Sequence, residues 1–515
     1  MHVPLTVGDF IERAATVYPD RAAVVDEPGT PGSLGTISYR ELSDRARGMA
    51  VALDELGVGF GERVAIVSPN AARFAVSFFG VSGYGRVLVP INYRLGSEEI
   101  RYIVEHSGAS VLLVDPESEP TVAGIDVKHR FVLDGKADAP FFAPAPSSEP
   151  SAWEPDEDAT ASINYTSGTT ARPKGVQLTH RNCWLNATVF GWHVNVSDRD
   201  VYMHTLPMFH CNGWGMPYAV TGMGVLQVVV RKIDGEGILR RIEDHGVTLL
   251  CGAPAVVASV LDAAKARREA GGAVPGGGTV RIVVAGAPPP SKTIERVQTE
   301  LGWEFIQIYG LTETSPLLTI NRKRAEWDGL DSEQLSQRLG QAGAPAVGVR
   351  MRTSAEGEVL ARSNHVFAGY WKQPEESEKV LAGGWFRTGD EGRITEENYV
   401  VISDRKKDVI ISGGENISSV EVEDCLYQHP AVAEVAVIGV PSEKWGETVK
   451  ALVVLRPGHE AKEQELIEFC RSRLAHFKCP TSVEFRDALA RTATGKLQKF
   501  KLRNPYWEGF ERRVN

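Results

Sequence analysis

The chain has 515 residues, 43% of them apolar, and a formal net charge of −10. That length exceeds what one hydrophobic core organises, so several domains are expected; the acidic balance excludes nucleic acid as the main partner, because a protein that tracks a phosphate backbone carries a basic surplus. No stretch approaches the roughly 20 apolar residues that span a bilayer, and the six cysteines show neither metal-ligand spacing nor a disulfide framework. Reduced thiols and a cytoplasmic location are the expectation. The first residues lack the basic start and apolar run of a secretory leader, so none is expected.

In chain order, Phe10, Ile11 and Ala14 predict a short amphipathic helix over 9–17, and Arg21 to Val25 a strand. Ser38 with Glu41 reads as a capping box, and Leu42, Ala46, Met49, Leu53 and Leu56 continue at helical spacing to a stop at Gly57. Strands are expected at Arg63 to Val67, Val87 to Pro90 and Val111 to Val114. Their alternation with helical patterns predicts parallel α/β layers. Residues 139–155, rich in Pro, Ser and Ala, read as a loop.

Next comes Tyr165-Thr-Ser-Gly-Thr-Thr-Ala-Arg-Pro-Lys-Gly175. Hydroxyls, unblocked backbone N–H groups and one lysine neutralise a polyphosphate without steric bulk, so the run reads as a phosphate-gripping loop. It is not the Walker pattern, since no Gly-Lys-Ser/Thr opens a helix at the required spacing. A polar surface turn also explains such a run taken alone.

Strands are expected at Val201 to Pro207 and Val225 to Val230, with His210-Cys-Asn-Gly-Trp-Gly215 between them. Val247 to Pro254 and Val280 to Pro288 read as apolar strands ending in small-residue turns. Ligands of open α/β sheets bind at the carboxyl ends of strands, which makes these turns candidate walls. Gly271 to Gly278 reads as a flexible connector. Asp404-Arg-Lys-Lys-Asp408 is a charged junction between a β-rich stretch and a short βαβ-like pattern, the setting of a hinge. The expected domains are 1–404 and 405–515.

Five motifs in this order, Thr166 to Gly175, Tyr309-Gly-Leu-Thr-Glu313, Trp385 to Asp390, Asp404 to Asp408 and Arg491-Thr-Ala-Thr-Gly-Lys496, resemble the acyl-adenylate-forming superfamily. That superfamily includes acyl-CoA synthetases, luciferase-like enzymes and peptide-synthetase adenylation domains, and the resemblance covers nearly the whole chain. It implies an α/β fold with a large N-terminal domain of layered α/β subdomains and a distorted β-barrel part, plus a small mobile α+β C-terminal domain. It also implies a two-step reaction using ATP, Mg²⁺ and coenzyme A as co-substrate: a carboxylate attacks the α-phosphate of ATP, then a thiol displaces AMP.

On that resemblance, Thr166, Ser167, Gly168, Thr169, Thr170 and Lys174 would hold the β- and γ-phosphates, and Glu313 with Thr166 would position Mg²⁺. Gly286, Ala287 and Pro288 with Gln307, Ile308, Tyr309 and Gly310 would sandwich adenine, and Thr312 would touch the α-phosphate. Asp390 and Arg405 would bind the ribose hydroxyls. Lys496 would stabilise the charge that builds at the α-phosphate. Rotation about Asp404 would withdraw that lysine and bring Gly413 and Gly414 to line the pantetheine channel.

Relatives that activate amino acids place an aspartate near His210; Pro207 to Gly215 holds no acidic residue, which disfavours that substrate. Met208, Phe209, Trp214, Val256 and Leu311, with Gly286 and Gly310, would border an apolar acyl pocket, although core packing explains any one of the side chains equally well. Phe209-His210 with Trp214 looks like the medium- and long-chain fatty acyl-CoA synthetase branch, and an aromatic, alicyclic or terpenoid acid also fits. His210 would border the carboxylate and help admit the thiol; a structural histidine is the competing account. The phosphate run carries Ala171 where the family usually has glycine. Two alternatives stand beside the synthetase: an acyl-AMP ligase that loads a carrier protein, and a non-catalytic nucleotide- or acyl-binding pseudoenzyme. Monomer and homodimer are both open.

Overall fold

The computed structural model describes residues 1–136, 138–166, 172–286, 289–405, 408–412, 415–442, 445–491 and 497–508. The Ser38 capping box forms: the Ser38 hydroxyl accepts from Glu41 N, and the Glu41 carboxylate accepts from Ser38 N at 2.8 Å. Satisfying those end groups opens a helix over Tyr39–Glu55 that buries Leu42, Ala46, Met49 and Leu53.

Among the described residues there are four sheets, and the first has seven strands. Their spatial order is Gly369–Tyr370, Lys174–Thr179, Thr160–Thr166, Val87–Ile91, Arg63–Val67, Ala109–Val114 and His129–Val132. Thr160–Thr166 (β1) and Lys174–Thr179 (β2) are antiparallel, with Thr166 opposite Lys174, whereas the strands beyond β1 run parallel. Lys174 therefore begins a strand, as the non-Walker reading requires. Thr179 then caps the helix His180–His193 (α1).

The nine-stranded sheet contains the parallel set Leu226–Val229, Val201–His204, Leu249–Gly252, Arg281–Val284 and Glu304–Gly310. The short helix Ser291–Arg296 (α2) precedes Glu304–Gly310 (β3). Along β3 the side chains alternate, so Phe305 enters one core cluster while Ile306 and Ile308 enter another that the two large sheets share. The third sheet is antiparallel and ends in Phe386–Ile394 (β4) and Val400–Arg405 (β5), which stand Asp390 opposite Arg405. The residues after Val409 form a five-stranded sheet, with Ser419–Tyr427 (α3) packed on it, around core clusters of their own. The α/β fold with a small α+β C-terminal part is the one expected.

One local expectation is corrected. Residues 139–155 are not loop throughout: Ala139–Phe142 is a helical turn that buries Phe141 and Phe142, and the gain from burying two aromatic rings outweighs the Pro/Ser/Ala composition. The βαβ-like pattern after Val409 is present: Gly446–Leu455, the helix Glu463–Arg471 and Ser482–Phe485 form a parallel strand–helix–strand unit, to which Ile410–Ser412, Glu415–Ile417 and Val432–Ser442 add antiparallel pairs. Among the described residues, no helix is long and apolar enough to cross a membrane.

Candidate active site

The two ends of the hydroxyl-rich run face each other across β1 and β2. Lys174 Nζ lies 2.6 Å from Glu376 Oε2 and 4.9 Å from the centroid of the Tyr370 ring. The Tyr370 hydroxyl in turn donates to Glu313 Oε1 at 2.9 Å. Lys174 holds the Glu376 carboxyl below its ordinary value, while burial and the neighbouring Glu313 push the Tyr370 phenol well up. Tyr370 is therefore a committed donor, and it fixes one oxygen of Glu313.

Glu313 is carried by a tight turn at the end of β3. Leu311 N donates to Thr314 Oγ1 at 2.9 Å, Thr314 Oγ1 donates to Pro316 O at 2.7 Å, and Phe367 N donates to Glu313 O at 2.9 Å. Gly310 is required here, since a Cβ would stand 1.5 Å from Pro316 O. These bonds set Thr312 and Glu313, both half-buried, at the carboxyl end of the sheet.

Further along that edge, Asp390 is 4% exposed and accepts from the Tyr309 hydroxyl at 2.7 Å, with the Arg405 backbone opposite. Gly286 has φ +95°, and among the described residues nothing stands within 4 Å of where a Cβ would be. Gln307 is buried and its Oε1 has no hydrogen-bond partner among the described residues, whereas Ile308 is packed in the core, which leaves only its backbone to face a ligand.

On the other side, Met208, Phe209 and Trp214 are buried in the shared core cluster and Leu311 packs against it. Tyr93 meets Phe209 edge-on at 5.9 Å. Val256 instead packs on the second cluster. His210 is half-buried and precedes an unusual backbone: Cys211, Asn212, Gly213, Trp214 and Gly215 have φ of 46°, 51°, 58°, 63° and 76°. A left-handed turn costs roughly 1–2 kcal/mol per residue other than glycine, least for Asn. Asn186 of α1 holds it, donating to Trp214 O and accepting from Leu317 N, both at 3.1 Å. Cys211 Sγ lies 3.9 Å from Thr312 O, so the turn also touches the Glu313 segment.

Residues 11–371 match the AMP-binding enzyme family, and residues 421–496 match the AMP-binding enzyme C-terminal domain. The chain belongs to the AMP-binding enzyme family. It is similar to a 2-methylpropanoate–CoA ligase of Humulus lupulus, 36% identical over 97% of this chain and 95% of the relative. It is also similar to a peroxisomal acetate/butyrate–CoA ligase of Arabidopsis thaliana, 35% identical over 98% and 94% of the two chains. Among solved structures it resembles a Mycobacterium tuberculosis fatty acyl CoA synthetase, at 31% identity and a TM-score of 0.74 over 98% of this chain and 99% of that one.

For this AMP-binding enzyme, Ser167, Gly168, Thr169, Thr170, Ala171, Ala287, Pro288, Gly413, Gly414 and Lys496 lie outside the described residues, as does the Arg405 side chain. Sequence reasoning missed Tyr370, Glu376 and Asn186. The signals were slight: an aromatic pair after Gly369, an acidic pair after Pro374, and one amide inside the apolar stretch of α1. The two lobes of the family fold meet where α3 sends Asp424 to the start of α2, accepting from Ser291 N at 3.1 Å and from its hydroxyl at 3.3 Å. Ser418 donates to Ser403 O nearby.

Proposed function

We propose that this chain, an AMP-forming acid–CoA ligase, activates a hydrophobic carboxylic acid as its acyl adenylate and passes the acyl group to coenzyme A. The observation that carries this reading is the meeting of Lys174 and Glu313 on Tyr370, beside the two ends of the hydroxyl-rich run. A cation and a carboxylate from separate segments, held a ring apart, suit a polyphosphate and its divalent counter-ion.

In the first step a carboxylate oxygen bonds to the α-phosphorus of ATP and pyrophosphate leaves. Lys174 exchanges Glu376 for a phosphate, and Thr166, Ser167, Gly168, Thr169 and Thr170 supply hydroxyl and backbone donors. Thr312 and Lys496 stabilise the charge that develops at the α-phosphate. Tyr309 and the Gly286 turn flank adenine, and Asp390 with Arg405 accepts and donates at the ribose. Among the described residues no group of three or more His, Cys, Asp or Glu forms a metal cage. One carboxylate, Glu313, with the Thr166 hydroxyl fits Mg²⁺, which binds through one or two carboxylates plus substrate phosphates. When bound, that ion neutralises phosphate charge.

In the second step the thiol sulfur of coenzyme A attacks the acyl carbon, AMP leaves with the C–O bond electrons, and the thiol proton passes to solvent. We take residues 405–515 as the mobile part that withdraws Lys496 and brings Gly413 and Gly414 to the pantetheine arm, with His210 at the carboxylate. Met208, Phe209, Trp214 and Leu311 bound the acyl group. Their tight packing, together with relatives that act on 2-methylpropanoate and on acetate or butyrate, favours a short or branched chain over a long one. Six free, buried cysteines support a reducing compartment, the cytoplasm or, as for the Arabidopsis relative, the peroxisome.

The test is a panel of straight, branched and ring acids with ATP and Mg²⁺, reading pyrophosphate and acyl-CoA with and without coenzyme A. The expected result is coenzyme A-dependent thioester, with kcat/KM rising about fourfold per methylene until the pocket is full and falling beyond. Pyrophosphate without acyl-CoA would transfer the acyl group to a carrier protein instead. No pyrophosphate with any acid would leave a nucleotide-binding protein without this chemistry.

A further inference from the structure

Beneath the left-handed turn lies a buried polar cluster that the two-step reaction does not use. Asn212, the second residue of the turn, is 2% exposed and donates through Nδ2 to the Ser162 hydroxyl at 2.8 Å. Asn164 donates to the same oxygen at 3.0 Å. Both partners sit on β1, the strand that ends at Thr166. The Cys183 thiol of α1 closes the cluster, 3.9 Å from Asn212 Nδ2, its pKa pushed up to about 12 by burial.

The cluster is poorly built for stability. The Oδ1 atoms of Asn164 and Asn212 are buried and have no hydrogen-bond partner among the described residues. Buried acceptors without donors destabilise a fold, whereas apolar side chains of the same shape would not. Such departures from local consistency concentrate where placement matters more than stability. Asparagine at position 212 does two things at once: it tolerates positive φ better than other side chains, and it reaches β1.

We propose that Asn212 is a positioning residue shared by the acid and nucleotide sites. Through Ser162 it fixes the turn that carries His210 at one end and Trp214 at the other to the strand that opens the phosphate run. Acid and ATP thereby set each other's geometry through one buried node, and linkage requires each to tighten the other by the same factor. The inference rests on the assignment of that turn to the acyl side and of the run to the phosphates.

The test uses the full chain carrying Asn212→Gly, Asn212→Ala, Ser162→Ala and the Asn212→Gly/Ser162→Ala pair. Glycine keeps the positive-φ freedom and removes only the amide. Asn212→Gly and Ser162→Ala are each expected to raise KM for ATP and for the acid together, about tenfold, with the folded state retained on thermal melting. The pair is expected to do no more than Ser162→Ala, since that change already removes the Asn212 bond together with that of Asn164. Wild-type KM values in Asn212→Gly, with loss only in Asn212→Ala, would reduce Asn212 to a backbone role and overturn the proposal, as would a silent Ser162→Ala. Amide hydrogen exchange over residues 160–166 gives a readout free of turnover: faster exchange in Asn212→Gly is expected, and an unchanged rate overturns the proposal. If the unaltered chain releases no pyrophosphate with any acid, the ligase assignment fails while the exchange measurement still decides the role of Asn212.

Discussion

The turn at 211–215 and the seam between α2 and α3 hold their neighbours by opposite means. The turn is pinned by buried amides, Asn186 and Asn212, inside a cluster of aromatic and aliphatic side chains. At the seam, Asp424 accepts from the first residue of a six-residue helix and Ser418 donates to a strand carbonyl. Among the described residues, the apolar clusters of the chain after Val409 draw no member from the chain before it. Apolar burial removes area from water and cannot be undone piecemeal, whereas hydrogen bonds to polar groups are exchanged for water at little net cost. The surroundings of the turn are thus held by apolar burial, whereas the seam rests on hydrogen bonds that water can replace.

The largest effect that would sharpen this contrast is at Asp390. Its replacement by alanine removes a carboxylate acceptor worth roughly 3 kcal/mol to a hydrogen-bonded partner, so kcat/KM for ATP should fall about 100-fold. Tyr309→Phe, which removes the donor at 2.7 Å but leaves the carboxylate, should lose less. Equal activity in Asp390→Ala would place the ribose elsewhere. A smaller effect is expected of Tyr370→Phe. Glu313 would lose its 2.9 Å donor, lowering kcat/KM for ATP about tenfold, while the melting temperature moves little because the ring stays. A large drop in melting temperature with unchanged kinetics would make Tyr370 structural only.

The smallest effect lies at the seam, and it has a sign. Burial raises the Asp424 carboxyl above its ordinary range, against the bonds from Ser291. A raised pKa in the docked state means that docking holds the proton more tightly. The stabilisation is fully present below the ordinary carboxylate pKa and is lost as pH rises through the raised one. Hydrogen exchange at Ser291, corrected for the intrinsic pH dependence, should accelerate over that window, and Asp424→Asn should flatten the trend. A flat profile in the unaltered chain would remove Asp424 from the docking equilibrium.

Local signals in the sequence disclosed the elements whose cause is local. The Ser38 capping box and the apolar strands of the large sheets follow from spacing and composition. What was not legible depends on register and on distant partners. Asp390 and Arg405 were brought together by the family resemblance alone, because the pairing of β4 with β5 is one register among several that the residue pattern allows. Tyr370 reaches Glu313 across 57 residues of chain. The left-handed turn was hidden for a different reason: Cys211 and Trp214 have no intrinsic preference for positive φ, so the conformation comes from Asn186 and Ser162, which are placed only by the fold.

The six cysteines bear on a hazard that any maker of acyl adenylates creates for itself. A mixed anhydride is an acylating reagent, and a thiol on the enzyme's own surface would compete for it. All six thiols are buried, and for Cys183 and Cys251 burial raises the pKa to about 12, which suppresses the nucleophilic thiolate; the Cys425 thiol, lowered by its hydrogen bond with Cys470, is kept from solvent by burial alone. The protein that prepares the electrophile thus withholds its own sulfur, and leaves a visiting thiol as the acceptor with access.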